Sequence, residues 1–243
     1  PDLEYAHLPL VLGEDKKRLS KRHAATSLNA YKEMGFTKET IINALALLGW
    51  STENEIFSID ELIESFKLEN VQKAAAVFDL KRFNWVSSQQ LAKLDETGFF
   101  EVIKPFMEDE NVSEDYPNYK KILLAMRTSK TNLKDIAHAT RPFFFELDGY
   151  DEKGVKKFLN ESLDTLCFAL EVFSKVTEWN ETELDMALIK VRDYFNLPIP
   201  KVNQPMRIAL VGSTVSPSLG LTLELFGKEK SLERIQKAID FIS

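Results

Sequence analysis

From Asp151 to about Val176 the apolar residues Val155, Phe158, Leu159, Leu163, Leu166, Leu170 and Phe173 return every three or four positions, so a helix here carries one broad apolar face. A face that wide has to be covered by other elements. The same spacing recurs in Ile41, Ile42, Leu45 and Leu48, in Tyr119, Ile122, Leu123 and Met126, and in Leu184, Leu188, Val191 and Phe195. Strand signals are sparse and no internal repeat or low-complexity tract is evident. The predicted fold is therefore all-α, built as at least two stacked helical bundles. With 44% hydrophobic residues in 243, the chain has enough apolar side chains for a sizeable core.

Capping residues punctuate the pattern. Thr37 is placed to cap a helix through Leu48 that ends at Gly49, and Ser58 with Glu61 has capping-box spacing for a helix to about Lys67. A short helix is expected over Lys73 to Leu80, closing a unit near Trp85. Ser88 is expected to open the next helix and Gly98 to close it, with another over Phe99 to Met107. Helices follow over Tyr116 to Thr128 and Leu133 to Thr140, the latter stopped by Arg141-Pro142, since the residue before proline avoids the helical region. Phe143-Phe144-Phe145 then fills core. Asn180 with Glu183 caps a further helix, Leu197-Pro198-Ile199-Pro200 reads as an extended connector, and Arg207 to Val211 as a strand or extended piece. Ser216-Pro217 reads as cap and first turn of a helix ending at Gly227, with a last helix after Ser231. Trp50, Trp85 and Trp179 are expected as core or cap aromatics.

Several chemistries are excluded by composition. A single Cys167, expected as a buried helix thiol, permits no intramolecular disulfide or cysteine-rich zinc cage and fits a reducing cytosol. His7, His23 and His138 lack ligand spacing, so no metal site is expected. No apolar stretch reaches the roughly 20 residues that span a bilayer, and the start is no signal peptide, so a soluble, cytoplasmic protein without membrane contact is expected. A net charge of −7 argues against non-specific coating of nucleic acid, which depends on phosphate neutralisation. The charge is segregated, however. From Pro117 to Pro142 there are six basic residues and one acid, just after an acidic run of Glu108, Asp109, Glu110, Glu114 and Asp115. On charge alone this is a solvated helix face beside an acidic loop, or an RNA contact.

The densest basic run lies near the start, in Lys16-Lys17-Arg18-Leu19-Ser20-Lys21-Arg22-His23. Basic groups around one serine suit a loop that grips a polyphosphate. It follows His7-Leu8-Pro9-Leu10 and precedes Tyr31-Lys32-Glu33-Met34-Gly35-Phe36 and Ala44-Leu45-Ala46-Leu47-Leu48-Gly49-Trp50. In that order these segments resemble bacterial glutamyl-tRNA synthetases, which are class I aminoacyl-tRNA synthetases. Arg18-Leu19-Ser20-Lys21-Arg22 stands in the place of the class signature Lys-Met-Ser-Lys-Ser, departing at its first, second and last positions as glutamyl enzymes usually do. The resemblance continues through Ser58-Ile59-Asp60-Glu61-Leu62 and Ala75-Ala76-Val77-Phe78-Asp79 to Arg207-Ile208-Ala209-Leu210 and Ser216-Pro217-Ser218-Leu219, covering essentially the whole chain.

The resemblance implies the C-terminal half of such an enzyme, without the nucleotide-binding half that carries the His-Ile-Gly-His motif and the glutamate pocket. Pro1 in place of Met points the same way, to a fragment. The implied division is the end of the catalytic domain at 1–25, a stem-contact helical unit at 26–86, and two anticodon-binding subdomains at 87–160 and 161–243. The implied reaction is ATP-dependent ligation of glutamate to its tRNA, with ATP carrying Mg2+; the fragment alone is expected to be inactive, to hold no tight cofactor and to be a monomer. Lys21 is the implied catalytic cation, stabilising the leaving pyrophosphate, within an ATP-binding set of Arg18, Leu19, Ser20, Lys21 and Arg22. Implied tRNA contacts are Arg127, Arg207, Ser216, Pro217 and Leu219, where a helix N-terminus offers unpaired N–H groups and Pro217 and Leu219 offer apolar surface to a base. Lys130 competes with Arg127, Arg207 can hold either RNA or the nearby turn, and Ser218 stands where the family often has glycine. Readings outside the family remain a non-catalytic helical adaptor with an acidic partner, or a general RNA-binding module.

Overall fold

A computed structural model describes Tyr5 and residues 7–19, 27–50 and 52–243. The chain divides into two compact units: residues through Asp109 together with Lys130–His138, and Glu110–Ser129 together with Ala139–Ser243.

In the first unit, strand β1 (Val11–Leu12) is followed by helices α1 (Leu28–Glu33), α2 (Lys38–Ala46) and α3 (Ile59–Ser65), a 3₁₀ turn at Leu68–Asn70, strand β2 (Ala76–Val77), α4 (Leu80–Lys93) and α5 (Glu96–Asp109). The caps at Thr37 and Ser58 fall where the sequence places them. Thr37 Oγ1 accepts the Thr40 N–H, and Ser58 and Glu61 form a reciprocal capping box. An aromatic core joins the elements, with Phe83 ring centroids 4.9 Å from Tyr31 and 4.7 Å from Phe36. Beside it a buried amide network fixes the loop into α3: Asn43 donates to the Glu55 carbonyl and accepts from Phe57 N–H and Gln90 Nε2. Gly35 adopts φ +86°, and any Cβ there would lie 2.5 Å from Lys134 N. Its carbonyl accepts the Leu133 N–H at 2.9 Å, which docks the returning segment Lys130–His138.

Lys73 to Leu80 is not a helix. Val11 and Leu12 pair in parallel with Ala76 and Val77, and Phe78 N–H donates to the Leu12 carbonyl, so these backbone groups are satisfied by a distant strand rather than a local turn. The next helix opens at Asp79, whose carboxylate accepts the Lys81 and Arg82 N–H groups, and runs unbroken past Trp85 and Ser88 to Lys93. Ser88 donates back to the Trp85 carbonyl within α4, and Trp85 is 43% exposed rather than core. Gly98 lies inside the first turn of α5, its N–H held by Asp95, instead of ending a helix.

The second unit contains α6 (Tyr119–Met126), α8 (Glu152–Gly154), a π-turn at Val155–Leu159, α9 (Leu163–Ser174), α10 (Glu181–Phe195), α11 (Ile199–Val211), α12 (Leu219–Phe226) and α13 (Lys228–Ile242). Helix α7 (Leu133–Phe144) begins in the first unit and ends in this one. Helices α9, α10, α12 and α13 pack as neighbours, and α11 lies against the π-turn and α13. Arg234, 2% exposed, donates from α13 to the Leu210 carbonyl and, at 2.7 Å, to the Phe145 carbonyl, closing the ends of α11 and α7.

Proline misleads a local reading here. Helix α7 runs through Pro142, because one missing N–H is a smaller loss than burying Phe143 and Phe144 is a gain. Pro198 and Pro200 start α11 rather than forming an extended connector, since first-turn N–H groups have no helical partner to lose. Arg207 to Val211 is the end of that helix, not a strand. Its residues Ile208 to Leu210 are buried on every side, which hides the helical period. The long pattern from Asp151 is interrupted at the π-turn, where Asn160 N–H reaches the Val155 carbonyl. Helix α13 starts at Lys228, directly after Gly227, and Cys167 is exposed. Among the described residues, no helix is long and apolar enough to cross a membrane.

Candidate nucleic-acid interface

Two regions hold most of the residues singled out by sequence. In the first unit, the chain entering the basic loop is anchored on both backbone edges. Leu12 bridges Arg18, Leu19 N–H donates to the Val11 carbonyl at 2.9 Å, and Gly13 and Lys17 close the turn between them at 2.8 Å. Leu19 packs against the aromatic core, while Lys16, Lys17 and Arg18 are exposed. Ser20, Lys21 and Arg22 lie outside the described residues. The chain is fixed again at Ser27, whose hydroxyl caps α1 by accepting the Ala30 N–H.

The second region lies in the other unit, where α11 turns into α12. Gly212 ends α11 with φ 73°, and the chain crosses Ser213 to Ser218 before α12 begins. Arg207 lies beneath this turn: Nε donates to Ser216 Oγ at 2.8 Å and Nη2 to the Pro217 carbonyl at 3.4 Å. Ser216 Oγ also accepts from Thr222 Oγ1 at 3.2 Å. Among the described residues no carboxylate is in ion-pair contact with Arg207. Burial depresses its pKa, so a half-desolvated cation sits behind the turn held only by neutral oxygens.

The cap of α12 is Ser218, two residues later than the sequence suggests, and the helix start is less open than a bare N-terminus. Ser218 Oγ accepts the Leu221 N–H at 3.3 Å and donates to Glu181 on α10. The Asp185 carboxylate, one turn further along α10, lies against Gly220, and burial together with neighbouring Glu181 raises its pKa. One of the amides expected to be unpaired, that of Leu221, is therefore already taken. Leu219 is 3% exposed, so its side chain fills core rather than offering apolar surface; Val215, 46% exposed, is the apolar side chain on the outside of the turn.

Arg127 is elsewhere in this unit, half-buried at the C-cap of α6, and Lys130 belongs to the first unit. Sequence reading missed Glu181 and Asp185. The signal was Gly220 inside an otherwise apolar helix: a Cβ there would lie 2.4 Å from Asp185 Oδ1 and 2.8 Å from the Glu181 carbonyl.

A loop fixed on a half-buried arginine, in a helical unit carrying residues 110–129 and 139–243, coincides with a known domain. Residues 98–239 match the family model described as anticodon binding domain. The chain belongs to the anticodon binding domain family. Ahead of the anticodon binding domain, residues 1–85 match the catalytic domain of class I tRNA synthetases (E and Q). The glutamate–tRNA ligase of Thermodesulfovibrio yellowstonii is 35% identical over 246 residues, 98% of this chain and 52% of that protein. That of Syntrophotalea carbinolica is 36% identical over 245 residues, again 98% and 52%. A crystal structure of a glutamate tRNA ligase from Elizabethkingia meningosepticum in complex with its amino acid has a TM-score of 0.78 at 30% identity, over 99% of this chain and 52% of that one. The chain spans about half the length of the curated relatives it matches.

Proposed function

We propose that this chain is the tRNA-binding part of a glutamate–tRNA ligase, which activates glutamate with ATP and transfers it to its tRNA. The observation that carries the reading is Arg207, a cation without a carboxylate partner among the described residues, fixed behind the 213–218 turn within the segment that matches the anticodon binding domain. A guanidinium with donors fixed in a plane can both shape the turn and attract RNA, and Pro217 and Val215 supply apolar surface for a base. Arg127, or Lys130 in its stead, reads a further anticodon base. In this division 26–86 contacts the tRNA stem, and 87–160 and 161–243 bind the anticodon.

At the other end, the pairing of Val11 with Leu19 fixes the chain just ahead of Ser20, Lys21 and Arg22. Lys21 stabilises charge on the departing pyrophosphate, and Arg18 and Arg22 hold phosphate oxygens. ATP would bring Mg2+ on its own phosphates, as that ion usually keeps several waters and few protein ligands. The working protein is a cytoplasmic monomer.

Titration of the chain with glutamate tRNA, and with the same tRNA carrying an altered anticodon, at low and moderate salt, tests this. Preference for the intact anticodon, with affinity falling as salt rises, is the expected result. Equal binding to both would leave only a general RNA-binding module. No RNA binding at either salt would leave a protein adaptor.

A further inference from the structure

Two helices of the first unit carry more apolar surface than the unit itself covers. Along α2 and its C-cap, Thr40, Asn43, Ala44 and Leu47 are buried, yet Ile42 and Leu45 on the other side are exposed. In α3 only Leu62 is buried, and Ile63 is 74% exposed although Asp60, Glu61 and Glu64 already supply a polar side. A helix that is apolar on both sides belongs in an interior rather than against water. The exposed side chains meet in one groove of about 640 Å³. Ile42, Leu45, Ile63 and Phe66 line it, together with Val11 and with Leu8, which is 67% exposed. The groove continues the core: buried Leu62 lines it, and the Phe66 ring lies 5.6 Å from that of buried Trp50. Among the described residues no polar side chain lines it, so it offers nothing to a phosphate, and an exposed apolar patch of this kind marks a surface that another folded element covers.

The groove runs from Leu8 to Ala76 in sequence, wholly within residues 1–85, the part that matches the catalytic domain of class I tRNA synthetases. This chain spans about half the length of the relatives it matches. We propose that the groove is the seat of the other half of such a protein: an apolar helix or strand of the catalytic domain lies against α2 and α3 and completes a core that this chain only begins. Val11 belongs both to the groove and to the base of the basic loop, since its carbonyl accepts the Leu19 N–H. Seating the nucleotide-binding half there sets it against the same strand that leads into the loop, so one apolar surface registers the two parts of the active site. This rests on reading the chain as part of a glutamate–tRNA ligase, but not on its binding tRNA.

Thiol labelling tests the occupant. Ile63→Cys places a thiol in the groove, and native Cys167, exposed in the second unit, is the internal control. The variant is made in this chain and in the full-length protein, both are treated with a water-soluble maleimide, and labelling at each site is followed by peptide mass spectrometry. In the chain alone the thiol of Ile63→Cys should react readily. In the full-length protein it should react at least about ten-fold more slowly, because a covered thiol is reached only when the structure opens, while Cys167 keeps its rate. Equal rates at position 63 in the two proteins, or a fall shared equally by Cys167, would overturn the proposal. So would slow labelling in the chain alone that quickens on dilution, since a second copy would then be the occupant. If Ile63→Cys does not fold in the full-length protein, Leu45→Cys on α2 carries the same expectations. Labelling needs no RNA: a chain that binds no tRNA would remove the functional reading, and the rates would still decide what covers the groove.

Discussion

Single residues decide how the second unit closes. Arg234 is almost wholly buried, stacks 4.5 Å from the centre of the Phe226 ring, and donates to the last carbonyls of two helices. Those carbonyls have no helical partner of their own, so losing the guanidinium strands them in the interior. Arg234→Met, similar in length and without donors, is expected to destabilise the chain by about 2–4 kcal/mol in urea titration. An unchanged midpoint would mean that the carbonyls find other partners. Gly220 is the second such position. A methyl group there collides with a backbone carbonyl as well as with the flexible Asp185, so Gly220→Ala should cost about 1–3 kcal/mol and loosen α12 from α10. A variant as stable as the native chain would show that the helices are less close than this.

At the scale of elements, the end of α7 is tied to α13 by charge. Glu146 meets Lys230 and Lys237, both at 3.0 Å, and hydrogen bonds from these lysines pull its pKa down to about 2. A carboxylate whose pKa is depressed by folding stabilises the fold above its ordinary range, and loses that contribution as pH falls through this range toward 2. The group is 61% exposed, so the effect is small. Glu146→Gln should lower stability by less than about 1 kcal/mol near neutral pH, less still at high salt, and by progressively less as pH falls through about 2. Denaturant midpoints of both chains across that pH range measure it. Glu224 of α12 has the same character, its carboxylate accepting the Glu181 N–H at the start of α10.

Across the molecule, each unit has its own set of buried residues, and the chain passes from one to the other after Asp109, Ser129 and His138. The basic loop is based in the first unit and the Arg207 turn lies in the second, so the two activities proposed for them should be separable. In the full-length protein, Lys21→Ala should slow adenylate formation by about 10²–10³-fold, the usual loss for one charge-stabilising donor, while leaving tRNA affinity nearly intact. Pyrophosphate exchange and tRNA titration together check it. An equal loss of both would mean that the loop binds RNA rather than ATP.

Sequence alone determined the helical class, the order of the family segments, and the caps at Thr37, Ser58 and Asn180, because each of these is written within about four residues of itself. It was also enough to offer Arg207 as a residue that holds the nearby Ser216-Pro217 turn, as its hydrogen bonds there do. It missed β2, since Ala76 and Val77 are strand only through Val11 and Leu12, far away in the chain. It shortened α7 and missed α11, since burial on all sides outweighs proline and erases periodicity. The tertiary structure alone decided that Gly220 lies against Asp185 and that Leu219 is buried. Asp185 reaches Gly220 only because α10 and α12 pack side by side, and contacts between helices depend on that approach rather than on any local pattern.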